Sequence, residues 1–277
     1  MKTTGKPVQS PDAGARTSPS LAGSRLASRT VTAVTLALLA AGLSGSWWNH
    51  LLEGTAWQTW RAPLSNTGDV ILMVLLLRLA TGKTLIELVR TSGLLTAPAA
   101  SLRWALAWAL PVLGIALLWL PFASPEPSHL FWNALVYPFA EEWLYRGLAI
   151  GALMRWAGWR WWTAALLPAF AFGVAHLGQG RELTDSLGIF AVTAAGGLLF
   201  GWLFYRWGGN LWPAIWLHAG LNAFFLLFDL GHNALLGWEG NVLRTVTVVW
   251  ALVLVRWMGP PTQPRSDAEG QRTTPAT

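Results

Sequence analysis

The sequence predicts an all-helical, multi-pass membrane protein of about eight transmembrane helices. Three observations predict it. Of 277 residues, 53% are hydrophobic and only 12% charged, and the mean hydropathy is +0.42, far from the mix of a soluble domain. Apolar runs of roughly the length a span needs recur along the chain. The basic residues fall in the tails and between those runs, as membrane topology requires. That distribution also excludes nucleic acid as the reason for the net charge of +6. With no cysteine, there is neither a disulfide framework nor a thiolate metal site.

Residues 1–30 are rich in Ser, Thr, Pro and Gly, carry Lys2, Lys6, Arg16, Arg25 and Arg29, and predict a disordered basic tail. The apolar run that follows has the look of a signal-peptide core, but the later spans favour an uncleaved first span. The membrane domain covers 31–258, with spans expected near 31–48, 65–80, 103–121, 130–154, 162–178, 187–205, 212–229 and 242–258. The second is short and carries Asp69. Residues 259–277 are polar, contain proline, and predict a second disordered tail. Eight spans place both tails on one side, with fifteen Lys and Arg there. Only Arg61, Arg181 and Arg244 fall opposite, and Arg146 lies within a span. Both termini are therefore expected in the cytoplasm. Tryptophans near run ends (Trp47, Trp48, Trp104, Trp119, Trp159, Trp161, Trp162, Trp207, Trp212 and Trp257) are expected to anchor at the headgroup level.

The fourth span contains Glu141, Glu142 and Arg146, and a charge near mid-bilayer costs about 3 kcal/mol on insertion scales. Glu142 and Arg146 are four apart with the acid first, the favourable order for a helical ion pair. That pair reads as structural support. Glu141 is rotated about 100° around the helix and has no local partner. The fifth span carries His176. The seventh carries His218 and Asn222, one turn apart on one face. Gly173, Gly178, Gly196, Gly197, Gly201 and Gly220 would let neighbouring helices approach closely. His129, His232 and Glu239 read as surface groups, and Asp229 is open to either reading.

Singly, an intramembrane His or Asn is often interhelical glue. A spare glutamate, two histidines and a carboxamide on three spans suit peptide hydrolysis. It needs an activated water, a base for its proton, and donors for the oxyanion. A carboxylate in a low-dielectric cavity becomes a better base. Glu141 fills that role, His176 can hold the same water or share the proton, and His218 with Asn222 can donate to the oxyanion. The rival chemistry is metallic: Glu141, His176 and His218 form a possible catalytic zinc set. The HExxH signature is absent, so zinc is permitted but not favoured, and no cofactor is expected.

Glu-Glu-x-x-x-Arg at 141–146, Phe-x-x-x-His at 172–176 and His-x-x-x-Asn at 218–222 stand in that order on separate spans. Together they resemble the three motifs of the CAAX-processing and bacteriocin-processing (CPBP, or Abi) intramembrane proteases, a family that includes the Ras-converting type of CAAX endopeptidase. The resemblance covers about 130–230. It implies eight spans around a central polar cavity, open to the cytoplasm and to lipid, and an endopeptidase cutting near a membrane-anchored or lipidated C-terminus. By position it implies Glu141 as the catalytic glutamate, His176 as its partner, and His218 with Asn222 as the oxyanion pair. Family members have been described both as glutamate-type and as metal-dependent proteases.

The expected partners are a membrane-anchored or C-terminally tailed protein or peptide substrate and the lipid bilayer, with no nucleic acid. The expected location is a bacterial inner membrane. Two other classes compete. A non-proteolytic binding, immunity or chaperone protein would keep the cavity without the chemistry. A transporter would use Glu141 and the histidines as a proton relay, but lacks the paired interrupted spans of inverted repeats.

Overall fold

The computed structural model describes residues 21–231, 233–235 and 237–260. Of the expected tails at 1–30 and 259–277, residues 1–20 and 261–277 lie outside the described residues, as does His232. Among the described residues the chain is helical without a strand. Helix α1 (Leu21–Leu52) and α2 (Arg61–Thr81) form an antiparallel hairpin, followed by the short α3 (Leu85–Thr91) and by α4 (Ala99–Trp119). The motif helix runs on as α5 (Pro127–Phe131), a π-helical stretch over Trp132–Val136, α6 (Tyr137–Glu142), a second π-helical stretch over Trp143–Ile150, and α7 (Gly151–Arg155). Then come α8 (Trp161–Ala175), α9 (Leu183–Arg206), α10 (Trp212–Leu227) and α11 (Trp238–Met258).

Among the described residues six helices are long and apolar enough to cross a membrane: α1, α2 with its preceding turn, α4, α8 with its following turn, α9 and α11. The protein is thus a multi-pass membrane protein. The other two expected spans differ in kind. The fourth is broken into α and π pieces, and α10 has only 16 residues, short of the usual 20. A count of eight requires both irregular elements to cross as well.

Helix α1 begins at Leu21, ten residues inside the expected tail, and its 32 residues span about 48 Å at 1.5 Å per residue. The apolar run sets only the stretch that fits lipid; the helix continues past it, carrying the mostly exposed Leu21–Arg29 segment. Gly82 closes α2 in the left-handed conformation, its N–H donating to the Arg78 carbonyl at 2.8 Å. Without a Cβ this conformation costs little.

The core has two centres. One lies where the motif helix packs against α1, α2 and α8, around Leu77, Leu144, Leu148 and Leu153. The other lies among α4, α9, α10 and α11 and is built on tryptophan. Trp104 (0% exposed) and Trp207 (6%) pack with ring centroids 5.9 Å apart, and the Trp104 indole N–H donates to the Ala251 carbonyl at 3.0 Å. These two are core residues, not headgroup anchors. Position near a run end did not predict exposure, because the helix ends here pack on neighbours. Trp257, by contrast, is 74% exposed.

Four of the six expected packing glycines hold close contacts. A Cβ on Gly220 would lie 2.3 Å from the Trp108 ring, one on Gly197 2.9 Å from Ala169, and Gly173 and Gly201 are similarly crowded. Gly178 meets nothing within 4 Å and Gly196 only an ordinary contact, so neither serves helix approach.

Candidate active site

Asn210 starts the local order at α10. Its side-chain oxygen accepts the Trp212 N–H at 3.0 Å, and Pro213 occupies the first turn, where a missing N–H is harmless. This start sets the face on which His218 and Asn222 lie. His218 is buried against Phe200 of α9, with centroids 5.1 Å apart and the rings nearly parallel at 13°. Its Nδ1 is 2.7 Å from Glu142 Oε1. A carboxylate oxygen can only accept, so Nδ1 carries the proton. The ring's other nitrogen, Nε2, faces Glu141 Oε2 at 3.7 Å, longer than a hydrogen bond but within ionic range.

Glu142 is the hub. The same Oε1 accepts from Arg146 at 2.9 Å, the pair expected from the i, i+4 spacing. Both side chains are sealed, at 0% and 1% exposure. The Arg146 guanidinium lies 4.6 Å from the Phe172 ring centroid and 5.1 Å from that of Phe200, where the ring faces favour a cation. Removing either charge would strand the other in a low dielectric. A chain Arg146–Glu142–His218–Glu141 results, with Glu141 at its open end.

His176 stands just past α8. Its Nδ1 is 2.8 Å from the Phe172 carbonyl, so Nδ1 donates and Nε2 remains an acceptor. Asn222 donates from Nδ2 to the Asn133 carbonyl at 2.9 Å, tying α10 to the first π-helical stretch. Its amide keeps a second N–H.

Glu141, Tyr145, Phe172 and His176 line one wall of a cavity of about 630 Å³; His218 and Asn222 are not among its lining residues. The expected site residues therefore gather in two layers: Glu141 and His176 at the cavity, and Glu142, Arg146 and His218 behind Glu141. Among the described residues no three His, Cys, Asp or Glu side chains group closely enough to hold a metal. Glu141, His176 and His218 as placed do not fit a zinc set. Glu142, assigned only to structural support, also orients His218. Phe200 was missed altogether; its place between the small residues Gly197 and Gly201 on α9 is the only sequence sign of it. The cavity's opposite wall comes from α1 and α2, which carry none of the three motifs.

These features define a class: a multi-pass helical membrane protein with a buried carboxylate–imidazole chain opening into a polar cavity. Residues 123–224 match the model of a protein family described as type II CAAX prenyl endopeptidase Rce1-like. The matched segment contains all three motifs and is similar to the CAAX protease family. The match supports protease activity in general, a membrane-associated peptide substrate, and a bilayer setting. No curated protein and no solved structure gives a significant match to the chain.

Proposed function

We propose that the protein hydrolyses a peptide bond near the membrane-anchored or lipidated C-terminal end of its substrate, with Glu141 activating water and no metal taking part. The observation that supports this best is the cavity wall on which Glu141 and His176 lie together, with His218 Nε2 directed at Glu141 from behind. Glu141 takes a proton from water while His176 Nε2 accepts a hydrogen bond from the same water. The hydroxide attacks the scissile carbonyl, and Glu141 returns the proton to the leaving amine. Glu142 fixes the His218 ring through Nδ1–H, and a second proton taken up at Nε2 makes an imidazolium that donates to the oxyanion alongside the free N–H of Asn222. Each such donor contributes about 3 kcal/mol in known oxyanion holes.

The test is a comparison of membrane-protein C-termini in cells carrying wild-type protein or Glu141→Gln at matched expression. A set of processed termini should vanish in the variant and thereby reveal the cut site. Unchanged termini would overturn the catalytic reading in favour of a non-proteolytic binding or immunity role. Activity abolished by exhaustive chelation would overturn the metal-free step. We also place both termini in the cytoplasm of a bacterial inner membrane, on the charge asymmetry. Because the chain lacks cysteine, single cysteines at Lys83 and Arg181 should label from opposite sides.

A further inference from the structure

We infer that Asp69 is a specificity-determining residue that takes a lysine or arginine side chain of the substrate peptide close to the bond being cut. The inference rests on the endopeptidase reading above and names the substrate class. The cavity has a second wall, outside residues 123–224, built by Ser44 and Asn49 of α1 and by Arg61, Ser65, Asn66 and Asp69 of α2. Hydroxyl, amide and carboxylate groups dominate it. Such a surface does not suit a prenyl chain or aliphatic residues, whose burial would strand its polar groups.

Asp69 is the unusual member. It lies well inside α2, and its Oδ2 accepts from the Ser44 hydroxyl at 2.9 Å. Ser65 in turn lies 2.7 Å from Ser44, so the hydroxyls form a short chain ending on the carboxylate. Among the described residues Asp69 has no ionic partner, and Oδ1 has no hydrogen bond and is not sealed from the cavity. An acid kept within a membrane span without a partner calls for a function. A primary ammonium or a guanidinium supplies both the charge and the N–H donors that Oδ1 lacks.

Arg61 sets the direction. It is the only Lys or Arg lining the cavity among the described residues. Positions 61, 65 and 69 share one face of α2, with Arg61 about 12 Å from Asp69 along the axis. A cationic side chain is repelled at the Arg61 end and attracted at the Asp69 end. Extended peptide rises about 3.3 Å per residue, so this polarity also orders the substrate's direction across Glu141.

The experiment uses the full-length protein in phosphatidylcholine nanodiscs with a randomised peptide library bearing a C-terminal hexadecylamide anchor. Cleavage by wild type is read by mass spectrometry. Binding to Glu141→Gln is read with matched Lys, norleucine and Glu peptides. We expect about tenfold preference for Lys or Arg at one position, in cutting and in binding, the size of one charged hydrogen bond. Asp69→Asn should abolish the preference, Asp69→Glu should keep it, and Asp69→Lys should turn it toward Glu. The reversal shows that the variant is folded. Cleavage with no basic preference, or a preference surviving Asp69→Asn, overturns the inference and leaves the protease reading standing. Preferential binding without cleavage does the reverse. Loss of the preference when phosphatidylethanolamine replaces phosphatidylcholine would assign the site to a lipid headgroup amine and overturn it as well.

Discussion

The two walls of the cavity are built on different terms. On the motif wall the charged groups behind Glu141 pair with one another, Arg146 on Glu142 and Glu142 on His218, with two aromatic rings over the guanidinium, although Glu142 Oε2 and Arg146 Nη2 are buried without a hydrogen bond. On the hairpin wall, Asp69 rests on a serine and Arg61 on Asn49, and neither has an ionic partner among the described residues. Gly220 and Gly197, in helix contacts behind the motif wall, leave no room for a methyl group, whereas Gly42 and Gly45 of the hairpin wall face open space. The difference separates two tasks: an internally paired chain of charges suits chemistry, and a carboxylate with an open valence suits recognition.

The largest expected effect lies on the motif wall. Glu141→Gln should lower cleavage about 100- to 10,000-fold with melting behaviour kept; a smaller fall would remove Glu141 from its role. Arg146→Ala leaves Glu142 buried and uncompensated and should cost about 3–5 kcal/mol in detergent unfolding. Equal loss on converting Asp69 to alanine would erase the contrast between the walls. Gly220→Ala should cost about 1–3 kcal/mol through collision with Trp108, while Gly42→Ala should stabilise α1 by about 0.5–1 kcal/mol, both read from denaturation midpoints. The smallest effect lies outside both walls, at Glu87. The backbone N–H of Thr84, and then the Lys83 ammonium, hold this exposed carboxyl down from 4.5 to about 2. Its stabilisation is therefore complete above pH 4.5 and disappears as the pH falls to about 2. Amide protection in α3 should fade across that window, and Glu87→Gln should make it flat.

Local spacing made some of this legible from the chain alone. The helical elements stand close to the expected spans, and the Glu142–Arg146 pair follows from an interval of four. The three motifs also led to the family, since they lie within the matched segment. The contact that reorganises the site did not show: His218 reaches Glu142 across 76 positions, and periodicity carries no information at that range. His218 was thus placed with Asn222 because they share a helix face, while its ring is held from another helix. Trp104 and Trp207 misled for the same reason, since a ring at a run end packs inward wherever a neighbouring helix covers that end. Of the hairpin wall only Asp69 stood out, as an acid within the second span; Ser44 and Ser65 are unremarkable until two helices bring them to it.

The two π-helical stretches around Glu141 and Glu142 carry a consequence for how this gene can change. A π-turn, closed by i→i+5 bonds, accommodates one residue more than the α-ladder would hold. Deleting a single codon after Arg146, within Trp143–Ile150, would let that ladder close as ordinary α-helix, and Leu153 and its neighbours would keep their place in the core, because the lost residue is the one the π-turn had absorbed. Inserting a codon there would instead swing them about 100° out of that core. The segment should therefore tolerate the loss of one residue far better than the gain of one. The link at 120–126, free of helix, should accept either.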